Sequence, residues 1–413
     1  MTLDPVHLDG IAALARRISH DVDASDHRDM AGEVWTGFLD PLYHDGEAVL
    51  EPLDDVSRRR APTAALALQD HEFETVHGLD SGTMNPRTFK NGLVLDIAQA
   101  AMSATPSDLD LHRSRTVVAS VHSNDASVKP GGGGWQRFDE GYVRQRIIKA
   151  PPVNRYEKVV VHALSLSLAE SVHALEHADA VRDLLVLDGP LYPKGILNWA
   201  SQSTELADLL TEHDLVRTVL ENYVSLVEQF VERDVPLVGF VKNTRSRGLV
   251  NVLRGKTLAP WAHDMAFFTS VLERRADGRR LTDELTWTNW FVSRLGTDRP
   301  FSRIGDGMGL ELALDPADYE VCFFVVYDPR TDLGYKVEMP AAFARDADLR
   351  ARVERYVLGE VAAARGPPLP VGKADDLAHI GRAENESLVQ RLEAEFETDR
   401  DRNYDDLRWG EFE

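Results

Sequence analysis

Residues 183–190 read DLLVLDGP, and this stretch decides the fold. Four consecutive apolar residues between two aspartates, closed by Gly189 and Pro190, predict a short strand buried on both faces, as at the centre of a parallel sheet. Upstream, residues 154–181 predict a long helix with Val160, Leu164, Leu168, Val172 and Leu175 along one side. Downstream, residues 214–233 predict another helix, followed by the strand PLVGFV at 236–241 and then Lys242. Strand, helix and strand in alternation imply parallel crossovers, hence an α/β fold.

Working outward, the character is strand-and-turn from Phe73 onward. HGLDSG (77–82) ends one strand, NGLVLDIAQAAM (91–102) supplies a second and RTVVASVH (115–122) a third. Residues 320–327 and 334–338 predict an antiparallel hairpin. Residues 1–70 read as an acidic helical segment, in which Leu8, Ile11, Leu14, Ala15 and Ile18 fall at helical spacing and offer a face for self-association. The tail from Asp375 is charged and helical. These features divide the chain into a helical N-terminal segment (1–70), a core domain (71–390) and an acidic C-terminal tail (391–413), with no internal repeat.

The 413 residues carry a net charge of -22, and only nine of the 46 basic residues are lysine. An acidic, lysine-poor surface suits a protein kept soluble in concentrated salt, where self-repulsion is screened; a GC-rich genome, which favours arginine codons, accounts for the same bias. Hydrophobic residues make up 43% of the chain, which excludes a disordered protein. The lone cysteine, Cys322, rules out disulfides and a cysteine zinc site, and its apolar surroundings mark it as a buried hydrophobe. The N-terminus lacks the apolar core of a secretory signal, and runs such as 321–327 are too short to span a bilayer. The expectation is a cytoplasmic protein without a membrane partner.

Two carboxylates end apolar strands: Asp80 in HGLDSG and Asp188 in LVLDGP. On adjacent strands they would hold divalent ions, and a pair of ions about 3.5–4 Å apart is the arrangement for phosphodiester hydrolysis. Aspartate before glycine is equally an ordinary turn signal. Glu170, among Leu166, Leu168 and Val172, either needs a partner or metal or faces solvent with Glu176 and Asp179. Lys242 stands where a scissile phosphate would be contacted, or is simply a strand-end lysine in water. His173 and His177 form an i, i+4 pair around Glu176, an inverted zinc-protease spacing without a matching downstream acidic helix. PGGGGW (130–135) lacks the lysine of a phosphate loop. Basic clusters at 144–149 (Arg144, Arg146, Lys149), 242–247 (Lys242, Arg245, Arg247) and 274–280 are candidate DNA contacts, or pair with neighbouring acids.

Taken in order, HGLDSG, Glu170, LLVLDGP, GFVKN (239–243), the hairpin FFVVYD…YKVEMP (323–340) and RGPPLPVGKADDLAHIGR (365–382) resemble the NurA nuclease family, above all its haloarchaeal branch. The resemblance implies a ribonuclease-H-like mixed sheet flanked by helices, with manganese- or magnesium-dependent cleavage of single-stranded DNA and duplex ends. It also implies a dimer docked on a HerA-type hexameric helicase for double-strand break repair. Asp80, Glu170 and Asp188 match the family's metal ligands, with Glu170 positioning the attacking water. Where many members carry tyrosine and histidine near the C-terminus, this chain has Pro367 and Asp375. A carboxylate at 375 suits manganese as well as imidazole does, and His379 lies one helical turn on. Pro367 supplies no hydroxyl. Two other readings stay open: a catalytically weak DNA-binding or scaffold subunit of the same complex, and a metal-dependent hydrolase of a small phosphorylated substrate.

Overall fold

The computed structural model describes residues 5–15, 24–129, 131, 134–299 and 309–402. The N-terminal 70 residues are not helical throughout. Helices α1 (Pro5–Ala15) and α2 (Ala24–Phe38) give way to strands β1 (Leu42–His44), β2 (Glu47–Pro52) and β3 (Arg58–Pro62). Both β2 and β3 join the main sheet, pairing antiparallel with Phe291–Ser293 and Glu284–Thr288. Only Val49 and Leu50 of β2 are buried apolar residues, and β3 is largely arginine. Strands this polar carry no alternation to read, so the sheet partner rather than the local pattern sets their conformation. On α1, Leu8, Ile11 and Leu14 are each more than half exposed; Ile18 lies outside the described residues.

The centre follows the expected pattern. Strands β4 (Val76–Thr83), β5 (Val94–Thr105), β6 (Arg115–His122) and β7 (Val143–Lys149) precede the long helix α3 (Glu157–His177). Then come β8 (Leu184–Asp188), helix α4 (Asp214–Glu232), β9 (Leu237–Val241) and the hairpin β10 (Val321–Asp328) with β11 (Leu333–Pro340). Helices α5 (Ala347–Ala364), α6 (Leu369–Ala378) and α7 (Arg382–Glu395) follow, so the described residues from Asp375 to Glu395 are largely helical, as expected. All of this is organised by one 15-stranded mixed sheet, in which the central order is β11-β9-β8-β4-β5-β6-β7. Strand β8 runs parallel to both β4 and β9, as its unbroken apolar run predicts. Leu184, Leu185 and Val186 are fully buried, with layers on both sheet faces.

Those layers are α3 with α4 on one face and α6 on the other. Helix α3 is apolar and long enough to pass for a membrane span by composition, but its apolar side is buried against β5 and β6. Helix α6 lies almost on the backbone of β4. A Cβ built on Gly78 would meet the Pro370 carbonyl, and one on Gly82 the Ala378 carbonyl. The same two carbonyls accept hydrogen bonds from Ser103 (2.6 Å) and Gln99 (3.0 Å), the β5 residues paired with Gly78 and Gly82. Side chains alternate along a strand, so Gly78, Asp80 and Gly82 share one face. The two glycines admit the helix and Asp80, between them, points at it.

The turn after β8 is held as firmly. Glu338, fully buried on β11, accepts from the Leu191 amide and pairs with Lys194 (2.6 Å) and Lys336 (2.8 Å). Asp298 pairs with the same two lysines. Two lysines against two acids make the buried cluster neutral, and burial of that kind is tolerated only with every charge partnered. Gly239 on β9 leaves room for the Gly189 carbonyl and the Leu191 amide. The chain therefore leaves Asp188 along one path.

Candidate metal centre

Asp188 ends β8, and the parallel register that pairs Leu187 with Leu79 sets it beside Asp80 on the face that α6 covers. Asp375, halfway along α6, is brought down onto them. One carboxylate oxygen from each of Asp80, Asp188 and Asp375 lies within 4.8 Å of the others. Asp80 accepts the Ser81 amide at 2.7 Å, and Asp188 accepts the Lys242 ammonium at 2.5 Å. Burial together with the charges of Asp188 and Glu170 pushes the Asp80 carboxyl up to about 9. Burial raises Asp188 as well, against the pull of Lys242. Burial alone would lower Lys242; its bond to Asp188, with Asp80 and Asp375 nearby, outweighs that and raises it.

Such a cluster fits a hard divalent cation. Every donor is a carboxylate oxygen, the ligand type of magnesium, calcium and manganese sites, and a cation removes the repulsion that otherwise forces protons onto the acids. The sign of the pH effect follows. A carboxyl whose folded pKa exceeds its unfolded value of 3.8 contributes stability fully below pH 3.8 and loses it as pH rises towards about 9. Metal-free protein is expected to lose melting temperature between pH 5 and 9, and manganese to restore more of it at pH 9 than at pH 5. A manganese increment independent of pH in thermal scans would show that the cation binds elsewhere.

Not every expected residue joins the cluster. Glu170 sits on the opposite face of β4, where its carboxylate accepts from Ser81 (2.5 Å) and Tyr223 (3.1 Å). It is held there by α3, and burial raises its pKa. Asp375, also expected as a ligand, is the acid that joins Asp80 and Asp188, because α6 faces Asp80. Each Glu170 oxygen accepts one hydrogen bond, from Ser81 or Tyr223. Lys242 is directed at Asp188 rather than standing free. His379 lies past the end of α6, exposed and outside the trio, and Pro367 stands in the turn before α6.

The basic candidates separate in the same way. Arg245 and Arg247, in the turn after β9, are exposed and have no acidic partner among the described residues. Arg144 pairs with Glu176 and stacks on Trp135 at 4.0 Å. Lys149 donates to the Val128 carbonyl at 3.0 Å, and Arg146 lies 5.9 Å from the Trp135 ring centre. All three are on β7, three strands from β4, about 15 Å away at ordinary strand spacing. The His173 and His177 pair binds side chains instead of a metal: His173 contacts Thr116 and His177 contacts Ser114.

Two acids on neighbouring parallel strands and a third on α6, with a lysine against one of them and arginines in the next turn, belong to the class of metal-dependent phosphoryl-transfer sites. The NurA domain model matches residues 74–380, most of the chain, and the chain therefore belongs to the NurA nuclease family. A search among curated proteins finds no match. Among solved structures, the NurA nuclease from Sulfolobus solfataricus superposes with a TM-score of 0.49 at 11% identity, over 96% of this chain and 98% of that one. A NurA bound to dAMP and manganese gives 0.41 at 11% identity, over 84% and 91%.

Proposed function

We propose that this chain is a divalent-metal-dependent deoxyribonuclease that trims single-stranded DNA and duplex ends. The observation that carries the reading is the convergence of Asp80, Asp188 and Asp375 from three separate elements. Asp80, Asp188 and Asp375 would hold manganese or magnesium. Bound there, the cation supplies Lewis-acid stabilisation of the charge developing on the phosphodiester. The protein's own groups do the rest. Lys242 balances Asp188 and offers a cation at the rim of the site. Arg245 and Arg247 reach backbone phosphates. Glu170, with Ser81 and Tyr223, braces β4 beneath Asp80 and fixes the carboxylate's height.

The family supports the finer parts of the proposal: a ribonuclease-H-like core, a homodimer, a HerA-type helicase partner, a place in double-strand break repair, and a cytoplasmic location. The exposed Leu8, Ile11 and Leu14 on α1 support an association surface at the N-terminal helical segment. An acidic surface with nine lysines supports a haloarchaeal setting, in which electrostatic attraction to DNA is screened and metal and shape contacts carry more of the affinity. The scaffold reading rests on Pro367 and Asp375 standing where tyrosine and histidine are common; the clustering of three carboxylates, Asp375 among them, favours the nuclease.

The test is digestion of a 5′-labelled single strand in molar potassium chloride. Cleavage is expected with manganese and none with EDTA. A chain inert with manganese, in the presence of the partner helicase, would fit the scaffold instead.

A further inference from the structure

On the α3 face of the sheet, reaching Asp188 at the end of β8, lies a cleft of about 560 Å3. Asp188 and Glu170 line one end and Lys158 and His162 the other. Leu79, Leu166, Leu187 and Leu226 form its walls. The volume is that of a site for one small organic ligand. Lys158, His162, Leu166 and Glu170 follow one another at i, i+4 spacing, a single stripe along α3. His162 therefore stands two turns from Glu170, about 12 Å along the helix, and Lys158 about 18 Å.

The His162 ring is set in place by a buried carboxylate. Asp96, on β5, is fully buried and accepts three hydrogen bonds: Thr83 at 2.6 Å, His162 Nδ1 at 2.9 Å and Ser165 at 2.9 Å. A buried carboxylate must have partners such as these. Here they orient the imidazole so that Nε2 is the nitrogen presented to the cleft. One turn away, Lys158 is exposed and has no acidic partner among the described residues. The two ends of the cleft thus differ in chemistry, with a cation and an imidazole at one end and two carboxyl groups at the other, across an apolar wall.

We propose that this cleft is a nucleotide subsite, in which Lys158 and His162 hold a backbone phosphate of the strand being cut while its base lies on the leucine wall. A phosphate oxygen at Nε2 is bound by the imidazolium form, the other ring N–H staying on Asp96. Asp96 is a positioning residue. Lys158 and His162 are the groups of the cleft that offer donors to a phosphate, so the phosphate lies at their end. A cleft of this volume takes about one nucleotide, so the occupant is a single strand. The inference rests on the nuclease reading for its substrate, but its binding test needs no cleavage.

The probe is a fluorescein-labelled hexathymidylate, bound in EDTA and followed by anisotropy, with a neutral methylphosphonate placed at each linkage in turn. Wild type is expected to lose about tenfold at one or two linkages, the cost of one charged hydrogen bond. Lys158→Gln and His162→Gln should bind the unmodified strand correspondingly weaker and lose that position dependence. The salt slope should fall by about 0.7 for each phosphate contact removed. In manganese, Asp96→Asn should raise KM for the hexamer more than it lowers kcat, a split that loss of structure alone does not produce. A flat methylphosphonate profile, or Lys158→Gln with the full wild-type profile, overturns the subsite. Lys158 is exposed and has no acidic partner among the described residues, so that variant folds whatever His162→Gln does. If wild type binds with the expected profile but never cuts, the nuclease reading falls and the subsite stands.

Discussion

Replacing Asp188 with alanine is expected to lower the manganese-dependent cleavage rate by on the order of 10³-fold or more, with Asp80→Ala equally damaging. Both residues end or interrupt the two parallel strands whose register fixes their separation, so neither loss is made good by a neighbour. The two variants should differ in stability. Asp188→Ala leaves Lys242 without its only acidic contact among the described residues, at a half-buried position. Asp80→Ala instead removes a carboxyl that folding forces to hold a proton up to about pH 9, and should raise the melting temperature of the metal-free protein at pH 8. Asp376→Ala, next to the third acid but outside the trio, is the control. Rates from a labelled single strand, set beside thermal scans in EDTA, measure both effects. Near-wild-type cleavage by either alanine variant would remove the trio from the chemistry.

Gly82→Val is expected to cost about 2 kcal/mol or more of stability, because the new side chain runs into the Ala378 carbonyl and the backbone there must move. The larger consequence is functional. Helix α6 cannot stay seated against a valine, and Asp375 withdraws from Asp80 and Asp188. Asp375→Ala separates the two effects, since an exposed carboxylate on the same helix is lost without any overlap. Both variants should lose most of their manganese affinity in calorimetric titration, whereas only Gly82→Val should melt earlier without metal. If Gly82→Val bound manganese like wild type, the third ligand would not come from α6.

What the sequence reveals here follows from how locally each feature is determined. Strand β8 is legible because four apolar residues between aspartates have one good solution, and α3 because its face repeats for five turns. Asp80 and Asp188 are legible for the same reason, as acids at the ends of such strands. Strand β3 is not: three arginines in a row hide a strand that exists only because Glu284–Thr288 offers an edge. Glu170 shows a different limit. Its helix and its buried surroundings can be read from the pattern, but the face of β4 it reaches depends on α3 packing opposite α6. The Asp96 and His162 pair left one trace, a lone aspartate inside the apolar run VLDIAQAAM, which turns into a site only when α3 lies across β5. Asp375 entered through family resemblance, and its place beside Asp80 depends on two glycines almost three hundred residues earlier.

That separation has a bearing on when the protein becomes dangerous to nucleic acid. During synthesis, β4 and β8 emerge and can pair long before residue 375 is made. Until α6 settles into the channel left by Gly78 and Gly82, two acids face each other with no third to complete the set. A half-made chain on the ribosome, surrounded by messenger and ribosomal RNA, therefore has the sheet without a finished cutting centre. The ability to cut arrives with the last helices, as a property of the completed molecule.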